Sequence, residues 1–133
     1  AQFGLPEVRR GLMADGAGVH RLLRRVPYSV AMGMVLTGQF IGAEEAHRVG
    51  LVNEVTSGAA LRALTERWVE QIMECAPLSL RARKEAALRG LELPLWEAIG
   101  QTFPMADELY ASEDFVAGPQ AFAEKRKANW QGK

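Results

Sequence analysis

The chain has 133 residues, 48% hydrophobic and 24% charged, near the globular average, which excludes a disordered, collagen-like or coiled-coil protein. Sixteen Lys and Arg balance sixteen Asp and Glu, so no global field draws the molecule to nucleic acid or to a membrane surface. No run reaches the ~18 apolar residues of a membrane span, and the lone Cys75 excludes an internal disulfide and fits a reducing cytoplasm.

In chain order, Gln2 to Val8 reads as a short strand ended by Pro6, and Gly11 to Gly18 as a glycine-rich loop. Ser29 to Thr37 predicts a helix with Gly38 at its C′ position. Ala43 to Val49 gives two helical turns closed by Gly50, and Leu51 to Val55 alternates like a strand. Ser57 can N-cap a helix whose apolar face is Leu61, Leu64, Trp68 and Ile72. Pro77 opens a helix through Leu88, closed by Gly90. Pro94 opens another, Leu95 to Tyr110, with Ile99, Phe103, Ala106 and Tyr110 on one face and a kink at Pro104. Ser112 caps a short turn, and Gly118-Pro119 starts a last helix ending near Asn129.

The strand-and-loop front is too small to stand alone. Two short strands do not make a stable sheet, and Phe3, Leu5 and Val8 call for partner strands outside this sequence. The expectation is the second part of a larger fold, with the missing N-terminal half as a partner. Charge is concentrated at the two ends: residues 1–28 carry five Arg against Glu7 and Asp15, and the tail from Pro119 carries Lys125, Arg126, Lys127 and Lys133 against Glu124. Two basic ends on a neutral body suit a small polyanion better than a long one.

Several stretches, taken together and in order, resemble the second half of the crotonase (enoyl-CoA hydratase/isomerase) superfamily. They are Ala1 to Glu7, Gly11-Leu12-Met13, Arg21-Leu22, Met34 to Gly38, Ala43 to Ala46 running into Gly50-Leu51-Val52, and Phe122 to Lys127. Asp15 and Val19, Ala76-Pro77-Leu78, Ser112-Glu113-Asp114, Gly118-Pro119 and Ala121 to Arg126 are further similar to carnitinyl-CoA dehydratases. The resemblance implies an α/β, crotonase-like (ClpP/crotonase) spiral fold. Residues 1–56 would be the C-terminal part of the spiral core, and residues 57–133 a helical region for trimerisation and CoA capping. It implies a cytoplasmic lyase acting on an acyl-CoA thioester, as a homotrimer or dimer of trimers. No metal and no separate cofactor are expected, since CoA arrives as part of the substrate.

Adding water across the 2,3 bond of an enoyl thioester builds negative charge on the thioester oxygen, which two backbone N–H groups must stabilise. One carboxylate handles the water, and an acid delivers a proton to the α-carbon. A glutamate does this near neutral pH only when its surroundings raise its pKa. By resemblance Glu7 is that acid, and Ala14, Asp15 and Gly16 form the substrate loop, with a backbone N–H near position 15 facing the reacting water. The loop departs from the family pattern at Ala14, where Pro is common, and at Ala17, where Gly is common. A guanidinium on Glu7 would keep it charged, so Arg9 and Arg10 are expected to point away. Phe122 and Lys125, three apart on a helical face, correspond to the aromatic and lysine that reach CoA. His20 and His47 lack metal-ligand spacing to each other or to Cys75; both read as structural or exposed, and Cys75 as a small buried hydrophobe. The enolate-binding amides and a first glutamate belong to upstream segments, so the 133 residues alone are not expected to turn over.

Three alternatives stand beside this reading: a generic enoyl-CoA hydratase or isomerase of fatty-acid oxidation, a non-catalytic oligomerisation module, and a DNA-binding helix-turn-helix. The last would need a basic recognition helix. The helix after Ser57 instead sets Arg62 and Arg67 against Glu66, Glu70 and Glu74.

Overall fold

The structure, a computed structural model, describes residues 1–133. The chain divides into two compact units, Ala1–Leu61 and Arg62–Lys133. No helix is long and apolar enough to cross a membrane.

The first unit holds a two-stranded antiparallel sheet, β1 (Gln2–Phe3) with β2 (Ile41–Gly42), in the register Gln2↔Gly42 and Phe3↔Ile41. The strand expected over Gln2 to Val8 stops at Phe3, and Pro6–Arg10 forms a 3-10 helix with Pro6 in its first turn. The proline fixed φ that reads as a strand terminator also pre-sets a helical start. Three α-helices follow: α1 (Gly18–Leu22), α2 (Tyr28–Thr37) and α3 (Ala43–Arg48). Leu22, Val26, Ala31, Met34 and Val49 form the core, with Leu5, Ile41 and Leu51 packed on it. Gly38 ends α2 in the left-handed conformation, donating its N–H to the Met34 carbonyl at 2.9 Å. No strand forms over Leu51 to Val55. The Leu51 and Val52 N–H groups both close α3 onto the Ala46 carbonyl, at 2.8 and 3.3 Å, which removes donors a ladder would need.

The second unit is helical: α4 (Leu61–Met73), α5 (Pro77–Gly90), α6 (Leu95–Ile99), α7 (Pro104–Tyr110) and α8 (Glu113–Ala123). Ser57 is the expected cap, its Oγ accepting the Ala60 N–H at the 3-10 turn that leads into α4. The helix expected over Leu95 to Tyr110 is two helices. Phe103 is extended at φ −97, ψ 152, and Pro104 opens α7 rather than kinking a longer helix. The residue before a proline avoids the helical region, so the break falls at Phe103. Side-chain capping of α7 comes from elsewhere. Glu85 on α5 accepts the Met105 N–H at 2.8 Å and a bond from Arg89 at 2.9 Å, while the Arg89 guanidinium lies 5.0 Å from the centre of the buried Phe103 ring. These contacts hold the Glu85 carboxyl below its ordinary value, the Met105 N–H first and Arg89 after it.

The last helix also differs from expectation. It begins at Glu113, not Gly118, because Ser112 Oγ accepts the Phe115 N–H at 3.2 Å and starts the helix there; Pro119 lies inside it. It ends at Ala123, short of Asn129. Cys75 is exposed rather than buried, its Sγ 3.5 Å from the Gln71 carbonyl past the end of α4.

Candidate active-site cleft and C-terminal turn

The 3-10 turn Pro6–Arg10 presents Glu7 at the end of β1. Its backbone is fixed by the following residues: the Leu12 N–H donates to the Glu7 carbonyl at 3.0 Å, and the Gly11 N–H reaches the Val8 carbonyl at 3.4 Å. The side chain is half-buried, and its Oε2 is buried without a hydrogen-bond partner. A buried, unpaired carboxylate oxygen is uncommon, and its place in a cleft makes it a candidate for chemistry. Arg9 points away from it. Arg9 Nε donates to the Thr37 carbonyl at 2.7 Å, and neither Arg9 nor Arg10 forms an ion pair with Glu7.

The glycine loop closes over the same place. Glu7, Ala14, Asp15 and Gly16 line one cleft of about 660 Å³ together with Leu5, Leu12, Met13 and Gly18. Close approach at Gly18 holds the loop there: a Cβ on it would stand 2.8 Å from Leu5 Cδ2 and 3.3 Å from Ala14 Cβ. Ala17 takes the left-handed conformation, φ 71, ψ 5, as the residue that turns the loop into α1. The Asp15 N–H points inward to the Met13 carbonyl at 2.9 Å. The Ala14 and Gly16 N–H groups have no acceptor in the protein.

A second, smaller cavity of about 200 Å³ adjoins Glu7 and is otherwise apolar, walled by residues such as Val8, Leu12, Met13, Val35 and Leu36. The sequence reading missed Val35 and Leu36. Their signal is the pair of adjacent large apolar residues in the last turn of α2, one more than a single buried stripe needs.

Phe122 and Lys125 lie at the far end of α8 in the second unit. Phe122 is 86% exposed in the last turn. Lys125 is not on the helical face expected for it. It lies beyond the helix, at φ 55. Its N–H donates to the Phe122 carbonyl at 3.1 Å, and the Arg126 N–H to the Ala121 carbonyl at 3.0 Å, the double closure of a Schellman turn with lysine where glycine is usual. Glu124 is held below its ordinary carboxylate range by its hydrogen bond from Arg126. His20 and His47 are both exposed. No three His, Cys, Asp or Glu side chains converge as metal ligands would.

Comparison with known proteins gives the cleft a context. The sequence profile described as enoyl-CoA hydratase/isomerase matches residues 1–133. The chain is 41% identical over 132 residues to the (E)-benzylidenesuccinyl-CoA hydratase of Thauera aromatica, covering 99% of this chain and 52% of that protein. It is 39% identical over 140 residues to the carnitinyl-CoA dehydratase of Escherichia coli K12, covering all of this chain and 52% of that protein. The crystal structure of an enoyl-CoA hydratase from Mycobacterium tuberculosis superposes with a TM-score of 0.91 at 34% identity, over all of this chain and 53% of the other. The chain thus spans about half the length of the relatives it matches. The expected crotonase-type fold is the fold observed, represented by a helical C-terminal part with one small sheet.

Proposed function

The chain belongs to the enoyl-CoA hydratase/isomerase family, and from that premise we propose that the protein is a lyase that adds water to, or removes it from, the 2,3 bond of an enoyl-CoA thioester. The observation that carries this reading is Glu7: a half-buried carboxylate with one oxygen buried and unpartnered, in the cleft formed by the glycine loop. In the hydration direction Glu7 gives its proton to the α-carbon as a water oxygen bonds to the β-carbon and that water yields one proton to a further carboxylate; in the reverse direction both transfers run backwards. With Asp15 N–H engaged, the free N–H groups of Ala14 and Gly16 are the donors assigned to the water. Phe122 and Lys125 meet the CoA nucleotide, the ring by stacking and the ammonium by pairing with phosphate.

In this reading the enolate-binding amides and that further carboxylate come from outside residues 1–133, and these residues alone do not turn over substrate. The protein assembles as a homotrimer or dimer of trimers. Support comes from apolar residues of the second unit that remain exposed, such as Leu95 at 69% and Trp96 at 82%.

Glu7→Gln in the protein as expressed from its gene is expected to cut turnover by about 10²–10⁴, the usual worth of a positioned acid or base, with little change in CoA affinity. Near-normal turnover removes Glu7 from the mechanism. Assaying crotonobetainyl-CoA, 2-butenoyl-CoA and benzylidenesuccinyl-CoA side by side identifies the acyl group.

A further inference from the structure

The segment after α8 has no regular secondary structure, yet it is tied down along its length. From Lys125 the chain reverses and returns beside α8, a helix about 16 Å long, until Gln131 and Gly132 stand at the helix's first turn. There Asp114, 3% exposed, receives both of their N–H groups, Oδ1 from Gln131 and Oδ2 from Gly132, each at 2.8 Å. The Glu113 N–H adds a bond to the Lys133 carbonyl at 2.9 Å. Just before that clamp, Trp130 donates its indole N–H to the Glu74 carbonyl at 2.8 Å, and its ring lies 3.2 Å from where a Cβ on Gly118 would stand. The result is a strap fixed at both ends: by the Schellman turn at Lys125 and by a buried carboxylate at the other end.

A lysine seldom adopts the left-handed conformation, and such a conformation persists only where its surroundings hold it. The strap leaves directly from this turn and is tied to α8 at its other end. We infer that Asp114 is a positioning residue for Lys125: by clamping the strap to α8 it fixes the turn from which the lysine ammonium reaches its anionic partner. The inference rests on the assignment of Lys125 to the CoA phosphates, and its test is built to separate the two.

In the whole protein, with whatever precedes residue 1, Asp114→Asn removes one of the two acceptor oxygens while conserving shape. KM is measured for one acyl group carried on CoA and on pantetheine, which lacks the nucleotide. The expected result is a rise of about tenfold in the KM for the CoA thioester, with kcat within about twofold and the pantetheine KM unchanged. Hydrogen exchange at Gln131 and Gly132 is expected to accelerate in the same variant. Deletion of residues 131–133 removes the two donors instead of the acceptor and serves if Asp114→Asn does not fold; it is expected to raise the CoA KM similarly. Equal rises for both thioesters, or a fall in kcat alone, mark a general structural role and overturn the inference. An unchanged CoA KM with released amides overturns it too, provided Lys125→Ala does raise that KM. If Lys125→Ala leaves the CoA KM unchanged, the CoA assignment itself fails, and the inference fails with it.

Discussion

Gly38 stands between the end of α2 and the turn that carries Glu7, and replacing it by alanine is a sensitive test of how that turn is held. Two costs combine. At φ 63 the backbone is left-handed, so an L-residue there loses about 1 kcal/mol after the entropy that glycine forfeits on folding is returned. The new Cβ would also stand 3.0 Å from Val8 Cγ1 and 3.0 Å from Arg9 Cγ. Arg9 can swing its side chain aside, but Val8 is short and branched and must move with its backbone. Overpacking of this kind costs about 1–3 kcal/mol, for a total of about 2–4 kcal/mol. Gly50→Ala is the control: its φ of 79 is equally left-handed, yet nothing lies within 4 Å of the added carbon, so about 1 kcal/mol is expected. Urea unfolding at matched m-values reads both numbers. Turnover separates them further, because shifting Val8 and Arg9 shifts Glu7, whereas Gly50 is remote from the cleft lining. Equal losses of stability, or normal turnover in Gly38→Ala, would refute the claim that Gly38 packing sets the Glu7 turn.

Two further outcomes are expected. Ala17→Gly removes a left-handed alanine at φ 71 and is expected to raise stability by about 0.5–1 kcal/mol once the glycine entropy term is subtracted; a lower thermal midpoint contradicts the loop geometry. Glu85 has a folded-state pKa below its ordinary value of 4.5, so its contribution is present above the ordinary carboxylate range and is lost as pH falls through the lowered value. Glu85→Gln is therefore expected to flatten the acid limb of stability against pH, and superimposable acid limbs for the two proteins sink that account.

What was legible in the sequence was local. Gly38 and Gly50 mark the ends of α2 and α3 because a left-handed closing residue needs only its own neighbours. Glu7 and residues 14–16 were readable as one site because only a short loop separates them, and the family resemblance supplied their roles. Three of the misreadings share an origin in Pro and Gly, which both stop and start elements. Pro6 and Pro104 each begin a helical turn, and Gly118-Pro119 lies inside α8 because Ser112 had already supplied the cap. Lys125 could not be read as left-handed, since its side chain gives no such signal. Its conformation belongs to the Schellman closure and to a strap clamped eleven residues upstream. Val35 and Leu36 line the small cavity beside Glu7 through tertiary packing; their adjacent apolar pair signals a second face to cover, but not what covers it.

The bond from Glu85 to the Met105 N–H bears on the order in which the second unit assembles. At seven residues α7 is too short to persist alone in water, and Phe103 offers no side-chain acceptor for its first turn. Its start is instead completed by a carboxylate twenty residues earlier, on α5, the helix it packs against. Helix α5 has fourteen residues and Pro77 at its head, so it is the one of the pair able to form transiently by itself. The expected order is templating: α5 presents Glu85 first, and the chain after Phe103 coils onto it. Helix α7 is therefore expected to open before α5 or together with it, so that its amides exchange with solvent no more slowly than those of α5.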